Sequence, residues 1–165
     1  MEEDIFGSIV SVWLLDERKQ HLYHTASTKL PSFYIQAIDG NELEPDVGPC
    51  NRAALIKDRV IDKDIQVGPY NDKFLKLAKE AGIGSCWSEP ILTDEGEVLG
   101  TLAIYFAKPT EPSTEDMKMV LDASHWAGIA IKNLRQQEQL RKLSLAVEQS
   151  PASVLITDPD GNITY

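Results

Sequence analysis

Residues 84–106 read GSCWSEPILTDEGEVLGTLAIYF, and this stretch decides the fold class. It contains two runs rich in apolar and β-branched residues, Ser85 to Leu92 and Val98 to Phe106, separated by the turn-forming sequence Asp94-Glu95-Gly96. This pattern predicts a β-hairpin. Both faces of the second run are largely apolar, so the hairpin is expected in the middle of a sheet that is covered on both sides. Because Pro90 cannot donate a ladder hydrogen bond, the first strand is expected to bulge or to lie at an edge there.

Composition excludes several function classes. The chain has 165 residues, 26 acidic against 16 basic, and a net charge of −10 without a cluster of Lys or Arg, which argues against a nucleic-acid surface. No apolar run approaches the roughly 18 residues of a membrane span, and the first residues are acidic, unlike a signal peptide. We therefore expect no membrane segment and a cytoplasmic location. Cys50 and Cys86 form no CxxC motif, which predicts two free thiols in a reducing compartment.

Hydrophobic spacing and capping residues predict the other elements of the domain. These are strands at 5–15, 21–26 and 60–65, short helices at 30–38, 50–56 and 71–81, and one long helix at 113–149. Ser113 with Asp116 three residues later forms a near capping box at the start of the long helix.

The second half of the long helix has the pattern of a coiled coil. Its apolar stripe begins with Val120, Ala127, Ile131 and Leu134 and continues with Leu140, Leu143 and Val147 at spacings of three and four. Charged and amide residues flank the stripe from Ile131 onward, which is typical of a parallel coiled coil. The sequence thus predicts a homodimer that pairs through this helix.

Four ordered blocks, GPCNRAALIKDRVIDKDI, GIGSCWSEPI, VLGTLAIYF and ASHWAGIAIKN, resemble a GAF domain of the kind found in bacterial sensor histidine kinases and diguanylate cyclases. The final stretch of the sequence, LRKLSLAVEQSPASVLITDPDGNITY, resembles the opening of a PAS domain. The resemblance implies a GAF-like sensory domain at 1–134, a helical linker at 135–150 and the start of a PAS domain at 151–165.

This resemblance also implies a fold and a site. The expected fold is α+β, with an antiparallel sheet of five or six strands, helices on one face, a small-molecule cavity on the other and a long C-terminal signalling helix. Candidate ligand-binding residues are Cys50, Asp64, Tyr70, Phe74, Cys86, Trp87, Ser88 and Tyr105.

Each candidate also has a plainer interpretation. Cys86, Trp87, Ser88 and Tyr105 are equally acceptable as core residues of an apolar strand. Cys50 is either a small turn residue or a thiol with a lowered pKa.

Metal and haem binding find little support in the sequence. Asp62 and Asp64 share a strand face that could hold a cation, although solvated acids have the same pattern. His21 and His24 point to opposite faces and cannot share a metal. His125 is interpreted as a packing residue rather than a haem ligand, and no metal site is predicted.

Missing motifs narrow the function further. The sequence has no bilin, cyclic-nucleotide or haem signature and no catalytic motif, so this chain is not expected to be an enzyme. The prediction is a regulatory input domain that binds an unidentified small effector and signals through the C-terminal helix to PAS and output domains, a kinase or a diguanylate cyclase. The alternatives are a ligand-free structural dimerisation module and a thiol-redox sensor or enzyme that uses Cys50 and Cys86.

Overall fold

The computed structural model describes residues 7–149 together with 159, 160 and 162. The elements are β1 Ile9–Leu15, β2 His21–Ser27, α1 Ser32–Ile38, β3 Asn41–Glu42, α2 Pro49–Ile56, β4 Val60–Asp62, a 3-10 turn Ile65–Val67, α3 Asp72–Glu80, β5 Ser85–Leu92, β6 Val98–Phe106 and α4 Thr114–Glu148. The chain divides into two compact units, Met1–Ile129 and Ala130–Tyr165. The predicted strand start at Ile5 lies outside the described residues, as does the predicted PAS opening except for 159, 160 and 162.

The strands form one six-stranded antiparallel sheet in the order β3-β2-β1-β6-β5-β4. The predicted hairpin is confirmed as β5 and β6, and β6 lies in the interior of the sheet between β1 and β5. Its turn is closed by the amides of Thr93 and Gly96, which donate to the carbonyls of Glu97 and Thr93. Gly96 has a φ of +79°, a left-handed conformation that glycine adopts without a steric penalty.

Pro90 lies in the part of β5 that pairs with β6 but no longer with β4. Strand β4 pairs Val60 to Asp62 with Ser88 to Cys86, so Pro90 lies past the end of that ladder and pairs with Thr101 of β6. The register of β5 and β6 shifts between Ile91 and Leu92. The missing amide hydrogen is therefore accommodated at an edge beside an irregularity, as the sequence predicts.

Helices cover both faces of the sheet. Residues from α1, α2 and α3 form the main core with one face, where Tyr34 of α1 packs edge-on against Tyr105 of β6 at 6.1 Å between ring centroids. The first part of α4 contacts the other face, and its buried residues are Val120, Ser124 and Gly128.

Local capping explains where the helices begin. The Asn71 side chain accepts a hydrogen bond from the amide of Phe74 at 2.9 Å and caps α3. Ser113 and Asp116 form a reciprocal capping box at the start of α4: Ser113 Oγ accepts from the Asp116 amide at 3.1 Å, and the Asp116 carboxylate accepts from the Ser113 amide at 2.8 Å. The predicted capping box at Ser113 is confirmed.

Packing of α4 on the sheet differs from the predicted stripe. Ser124 and Gly128 are buried with Val120, whereas Ala127 is half-buried and Leu134 is exposed. The reason is close approach, because a Cβ added at Gly128 would lie 2.6 Å from the carbonyl oxygen of Leu92. Ser124 and Gly128 thus join the predicted Val120 on the contact face of α4, and the sequence pattern included neither of them.

Two other expectations need correction. His125 is exposed beside Trp126, which is 69% exposed, so the packing interpretation of His125 is wrong. The strand predicted at 60–65 ends at Asp62, because Asp64 caps the 3-10 turn by accepting from the Gln66 amide at 3.0 Å. Within the part of the chain that the structure describes, no helix is both long and apolar enough to cross a membrane.

Candidate functional site

A connected set of polar side chains lies buried between the sheet and α2. Trp13 Nε1 donates to Ser11 Oγ at 2.7 Å and approaches the Tyr105 hydroxyl at 3.2 Å. Ser11 Oγ lies 3.1 Å from the Tyr105 hydroxyl, which in turn lies 3.5 Å from Cys50 Sγ. These groups come from β1, β6 and the first turn of α2, and all four side chains are buried.

The indole sets the direction of these hydrogen bonds. An indole N–H can only donate, so the Ser11 oxygen accepts from Trp13 and its own proton is free to point at Tyr105. The Tyr105 proton is then free to point at the sulfur of Cys50. This series of hydrogen bonds ends at the Cys50 sulfur, which then acts as an acceptor. A thiolate accepts hydrogen bonds better than a thiol does, so the arrangement favours the thiolate form of Cys50.

Cys50 lies beside Cys86, a buried residue of β5 that is paired with Tyr105 of β6. The neighbouring Cys86 thiol is the largest of the causes that lower the pKa of Cys50 to about 7; the Tyr105 hydroxyl also lowers this pKa, whereas burial opposes the shift. Burial, and next the neighbouring Cys50, raise the pKa of Cys86 well above its ordinary value. The pair therefore combines one thiolate-forming cysteine with one that stays protonated.

Two hydroxyls in this cluster have no hydrogen-bond partner. Ser88 Oγ and Thr101 Oγ1 are fully buried on neighbouring strands, and neither forms a hydrogen bond of ordinary geometry. Both nevertheless lie near enough to Cys50 to favour its thiolate. Because an unpaired buried hydroxyl costs roughly 1–3 kcal/mol, these two groups indicate a place where a polar atom from outside the chain can bind.

The cavity beside Cys50 is very small. Its volume is about 10 Å³, room for about one water molecule. Its lining consists of Trp13, Leu22, Tyr34, Ile38, Val47, Gly48, Pro49, Cys50, Asn51 and Phe74. Aromatic rings occupy the space around it, since Tyr34 contacts Phe74 at 6.4 Å and Phe74 contacts Tyr70 at 5.1 Å between centroids.

A second buried polar pair flanks the thiols. The Tyr70 hydroxyl donates to the Asp62 carboxylate, and Asp62 is paired with Cys86 across β4 and β5. Burial raises the pKa of Asp62, and burial together with the bond to Asp62 raises the pKa of Tyr70. The negative charge of Asp62 also raises the pKa of Cys86, which helps to keep that thiol protonated.

The structure brings six of the eight predicted site residues together and places Trp87 and Asp64 elsewhere. Cys50, Cys86, Ser88 and Tyr105 belong to the cluster, Phe74 lines the cavity and Tyr70 packs against Phe74.

Trp87 points to the other face of the sheet, where its ring packs on Phe106 at 4.4 Å between centroids and its indole donates to the Thr110 carbonyl at 3.3 Å. Asp64 caps the 3-10 turn. Asp62 and Asp64 therefore bind different partners. Among the described residues, no group of three or more His, Cys, Asp or Glu side chains is arranged to hold a metal ion.

Three residues of the cluster were not singled out from the sequence. Ser11, Trp13 and Thr101 lie on strand faces that also carry apolar residues. The two-residue alternation of a strand could have identified Thr101, because it places this polar residue on the same face of β6 as Tyr105.

The opposite face of β5 is attached to the beginning of α4. Glu89 of β5 forms an ion pair with Arg59, whose guanidinium also donates to the carbonyl of Met117 in α4 at 3.4 Å. Ser85 Oγ donates to the carbonyl of Lys108 at 2.9 Å, in the loop that leads to α4. Strand β5 therefore presents Cys86 and Ser88 to the buried cluster on one face, and the side chains on its other face contact the residues that position the start of α4.

Comparison with known proteins identifies the family. The GAF domain model matches residues 1–132, four-fifths of the chain. The chain belongs to the GAF domain family. The fold of this GAF domain, a six-stranded antiparallel sheet with a long C-terminal helix, agrees with that assignment.

Individual relatives of this GAF domain include a sensor. Over 163 residues the chain is 29% identical to a methyl sulfide methyltransferase-associated sensor of Methanosarcina acetivorans, covering 96% of this chain but only 16% of that protein. The chain therefore spans about one sixth of the length of this relative.

Solved structures that are similar in fold to this GAF domain include a sensor-kinase domain and a reductase. A domain of a putative two-component sensor histidine kinase protein from Sinorhizobium meliloti has a TM-score of 0.67 at 19% identity, covering 81% of this chain and 83% of the other. A type II free methionine-R-sulfoxide reductase from Thermoplasma acidophilum has a TM-score of 0.55 at 22% identity, covering 73% and 75%.

Proposed function

We propose that this chain is the sensory input domain of a multidomain signalling protein, in which a change at the buried Cys50 cluster alters the packing of α4. The family membership and the similarity to a sensor support this role. The finer parts of the proposal are an effector, pairing of two chains and transmission through α4 to PAS and output domains, with a kinase or a diguanylate cyclase as the output enzyme. A cytoplasmic location fits the two free thiols.

The observation that carries the proposal is the double role of β5. Cys86 and Ser88 face the cluster, whereas Trp87 and Glu89 face the other way. There Trp87 binds the loop that precedes α4, and Glu89 binds Arg59, which reaches the Met117 carbonyl of α4. A displacement of β5 by even part of an ångström changes both sets of contacts, because packed cores transmit strain rather than absorb it. An effector shifts α4 only as far as its affinity differs between the two arrangements.

Exposed apolar residues of α4 support pairing of two chains. Met119, Trp126, Leu140 and Val147 recur at multiples of seven residues, and all are exposed. Ile129 and Leu143 follow three residues after Trp126 and Leu140 and are exposed as well. We call these six residues the heptad stripe; a stripe of this period is typical of a coiled-coil seam.

The heptad stripe overlaps only partly with the predicted pairing residues. Leu140, Leu143 and Val147 are common to both sets. Ile131 is half-buried and Leu134, though 65% exposed, falls outside the seven-residue repeat. The proposed seam therefore begins earlier in α4 than the sequence pattern indicated.

Transmission through α4 is tested by Leu140→Pro in the protein that carries this domain with its output. A proline inside a helix costs about 3 kcal/mol locally and breaks the helix, so we expect loss of regulated output while urea unfolding of the sheet is unchanged. Leu140→Met is the matched control, because it keeps an apolar side chain in the heptad stripe and a good helix former, and it should retain regulation. Normal regulation in the proline variant would contradict the proposal.

One structural observation favours a different function. The cavity of about 10 Å³ leaves little room for an effector, which is what a ligand-free dimerisation module would have. Native mass spectrometry distinguishes the two. A mass excess that disappears on denaturation indicates a bound effector, whereas an apo dimer that gives no thermal shift with any small molecule favours the structural role.

A further inference from the structure

We propose that Cys50 and Cys86 form a redox-active dithiol, which a small hydroperoxide oxidises to an intramolecular disulfide. The inference rests on the proposed sensory function and names the input that the domain responds to. It requires no large ligand cavity, because the reactive group is part of the chain and the oxidant is scarcely larger than water.

Cys50 is the residue that reacts first. It borders the small cavity, whereas Cys86 is fully buried and does not line that cavity. The hydrogen bonds that begin at the Trp13 indole run through Ser11 and Tyr105 toward the Cys50 sulfur and stabilise a thiolate there. The thiolate is the nucleophilic form of cysteine, and with a pKa of about 7 it is well populated at neutral pH.

The two unpartnered hydroxyls fit the product of this first step. Ser88 and Thr101 are fully buried and lie near Cys50, yet neither has a hydrogen-bond partner of ordinary geometry. Oxidation places one oxygen atom on the Cys50 sulfur. That oxygen can accept from both hydroxyls, which gives them the partner that the reduced protein does not supply.

The reaction balances with a hydroperoxide as the oxidant. The Cys50 thiolate attacks one peroxide oxygen, the O–O bond breaks, and the leaving oxygen takes a proton to become water or an alcohol, which leaves Cys50 as a sulfenic acid. The Cys86 sulfur then attacks the Cys50 sulfur, the S–O bond breaks, and the hydroxide leaves as water with the Cys86 proton. Two thiols lose two electrons in total, the peroxide gains two, and an external dithiol reverses the change.

Disulfide formation would act directly on β5. It joins Cys50, in the first turn of α2, to Cys86, near the start of β5, by a covalent bond. Trp87, the next residue after Cys86, holds the Thr110 carbonyl in the loop that leads to α4. The oxidised pair is therefore one residue away from a contact that positions the signalling helix.

The test begins with the wild-type chain and hydrogen peroxide. We expect loss of both free thiols, a proteolytic peptide that links Cys50 to Cys86, and full reversal by dithiothreitol. In Cys86→Ser, dimedone should label Cys50, because the sulfenic acid can no longer be resolved. In Cys50→Ser, oxidation of the remaining thiol should be slower by more than about tenfold.

Several results would overturn the proposal. These are wild-type protein that keeps both thiols, disulfides that form only between molecules, and Cys86 that reacts as fast in Cys50→Ser as Cys50 does in Cys86→Ser. Hydrogen exchange in the 107–117 segment must also differ between the reduced and oxidised wild type; equal exchange would exclude the disulfide as the input. The proposed sensory role has its own test in Leu140→Pro, so either can fail while the other stands.

Discussion

The Arg59 guanidinium forms an ion pair with the Glu89 carboxylate of β5, whose side chain is only 8% exposed, and it also reaches the Met117 carbonyl of α4. One arginine thus connects the sheet to the beginning of the long helix. Removing it leaves a buried carboxylate without its cation.

For that reason we expect Arg59→Met to lower the free energy of unfolding by about 3 kcal/mol. The measurement is urea denaturation followed by tryptophan fluorescence. The double variant Arg59→Met with Glu89→Gln should recover part of the loss, because the uncompensated charge is then absent. A single variant as stable as the wild type would mean that the pair contributes nothing.

Gly128→Ala tests the close packing of α4 on the sheet. Alanine improves helix propensity by about 1 kcal/mol, but the added Cβ would lie 2.6 Å from the Leu92 carbonyl oxygen, and overpacking costs roughly 1–3 kcal/mol. We expect a net loss of stability in urea denaturation. Gln137→Ala, at an exposed position of α4, is the control and should cause no loss. A stabilised Gly128→Ala would show that α4 can move away from Leu92 at little cost.

Stability should depend on pH through Cys50. Its pKa of about 7 in the folded chain lies below its value in the unfolded chain, so the unfolded state holds more protons between pH 7 and pH 9. The contribution of Cys50 to stability is therefore complete above about pH 9 and is lost as the pH falls through 7, a change of up to about 2 kcal/mol. Urea denaturation at several pH values in this window should give a steeper rise for wild type than for Cys50→Ser. If stability rose equally with pH in the wild type and in Cys50→Ser, the lowered pKa of Cys50 would be contradicted.

Pairing through the heptad stripe can be tested with two leucines of the same helix. Leu140→Lys places a charge on the stripe and should convert a dimer into a monomer in sedimentation equilibrium, because a charge in an apolar seam is costly to desolvate. Leu145 is also exposed but lies outside the seven-residue repeat, so Leu145→Lys should leave the dimer intact. Equal effects of the two substitutions would place the seam elsewhere.

Much of the fold followed from local sequence signals. The β5–β6 hairpin, the Asn71 cap of α3 and the capping box at Ser113 each depend on neighbouring residues, and the structure has all three. The two-residue strand β3 was not predicted, because Asn41 and Glu42 are polar and too short to show alternation. Their strand conformation comes from pairing with β2.

The site was only partly predictable for a related reason. Cys50 and Cys86 were both candidates, but their contact depends on how α2 packs on β5, a long-range arrangement that no local pattern encodes. Trp87 is a different case. Strand alternation alone separates it from Cys86 and Ser88, and the sequence resemblance grouped all three because they are adjacent in the chain.

Pro90 has a consequence for how the protein avoids aggregation. A strand that loses its neighbour exposes a row of unpaired amides and carbonyls, which can recruit a strand from another molecule. The pairing of β5 with β4 ends at Ser88. Two residues later comes Pro90, which has no amide hydrogen to donate, and the register with β6 becomes irregular between Ile91 and Leu92. The β5–β6 hairpin therefore stops pairing with β4 at a point that is poorly suited to intermolecular β-pairing.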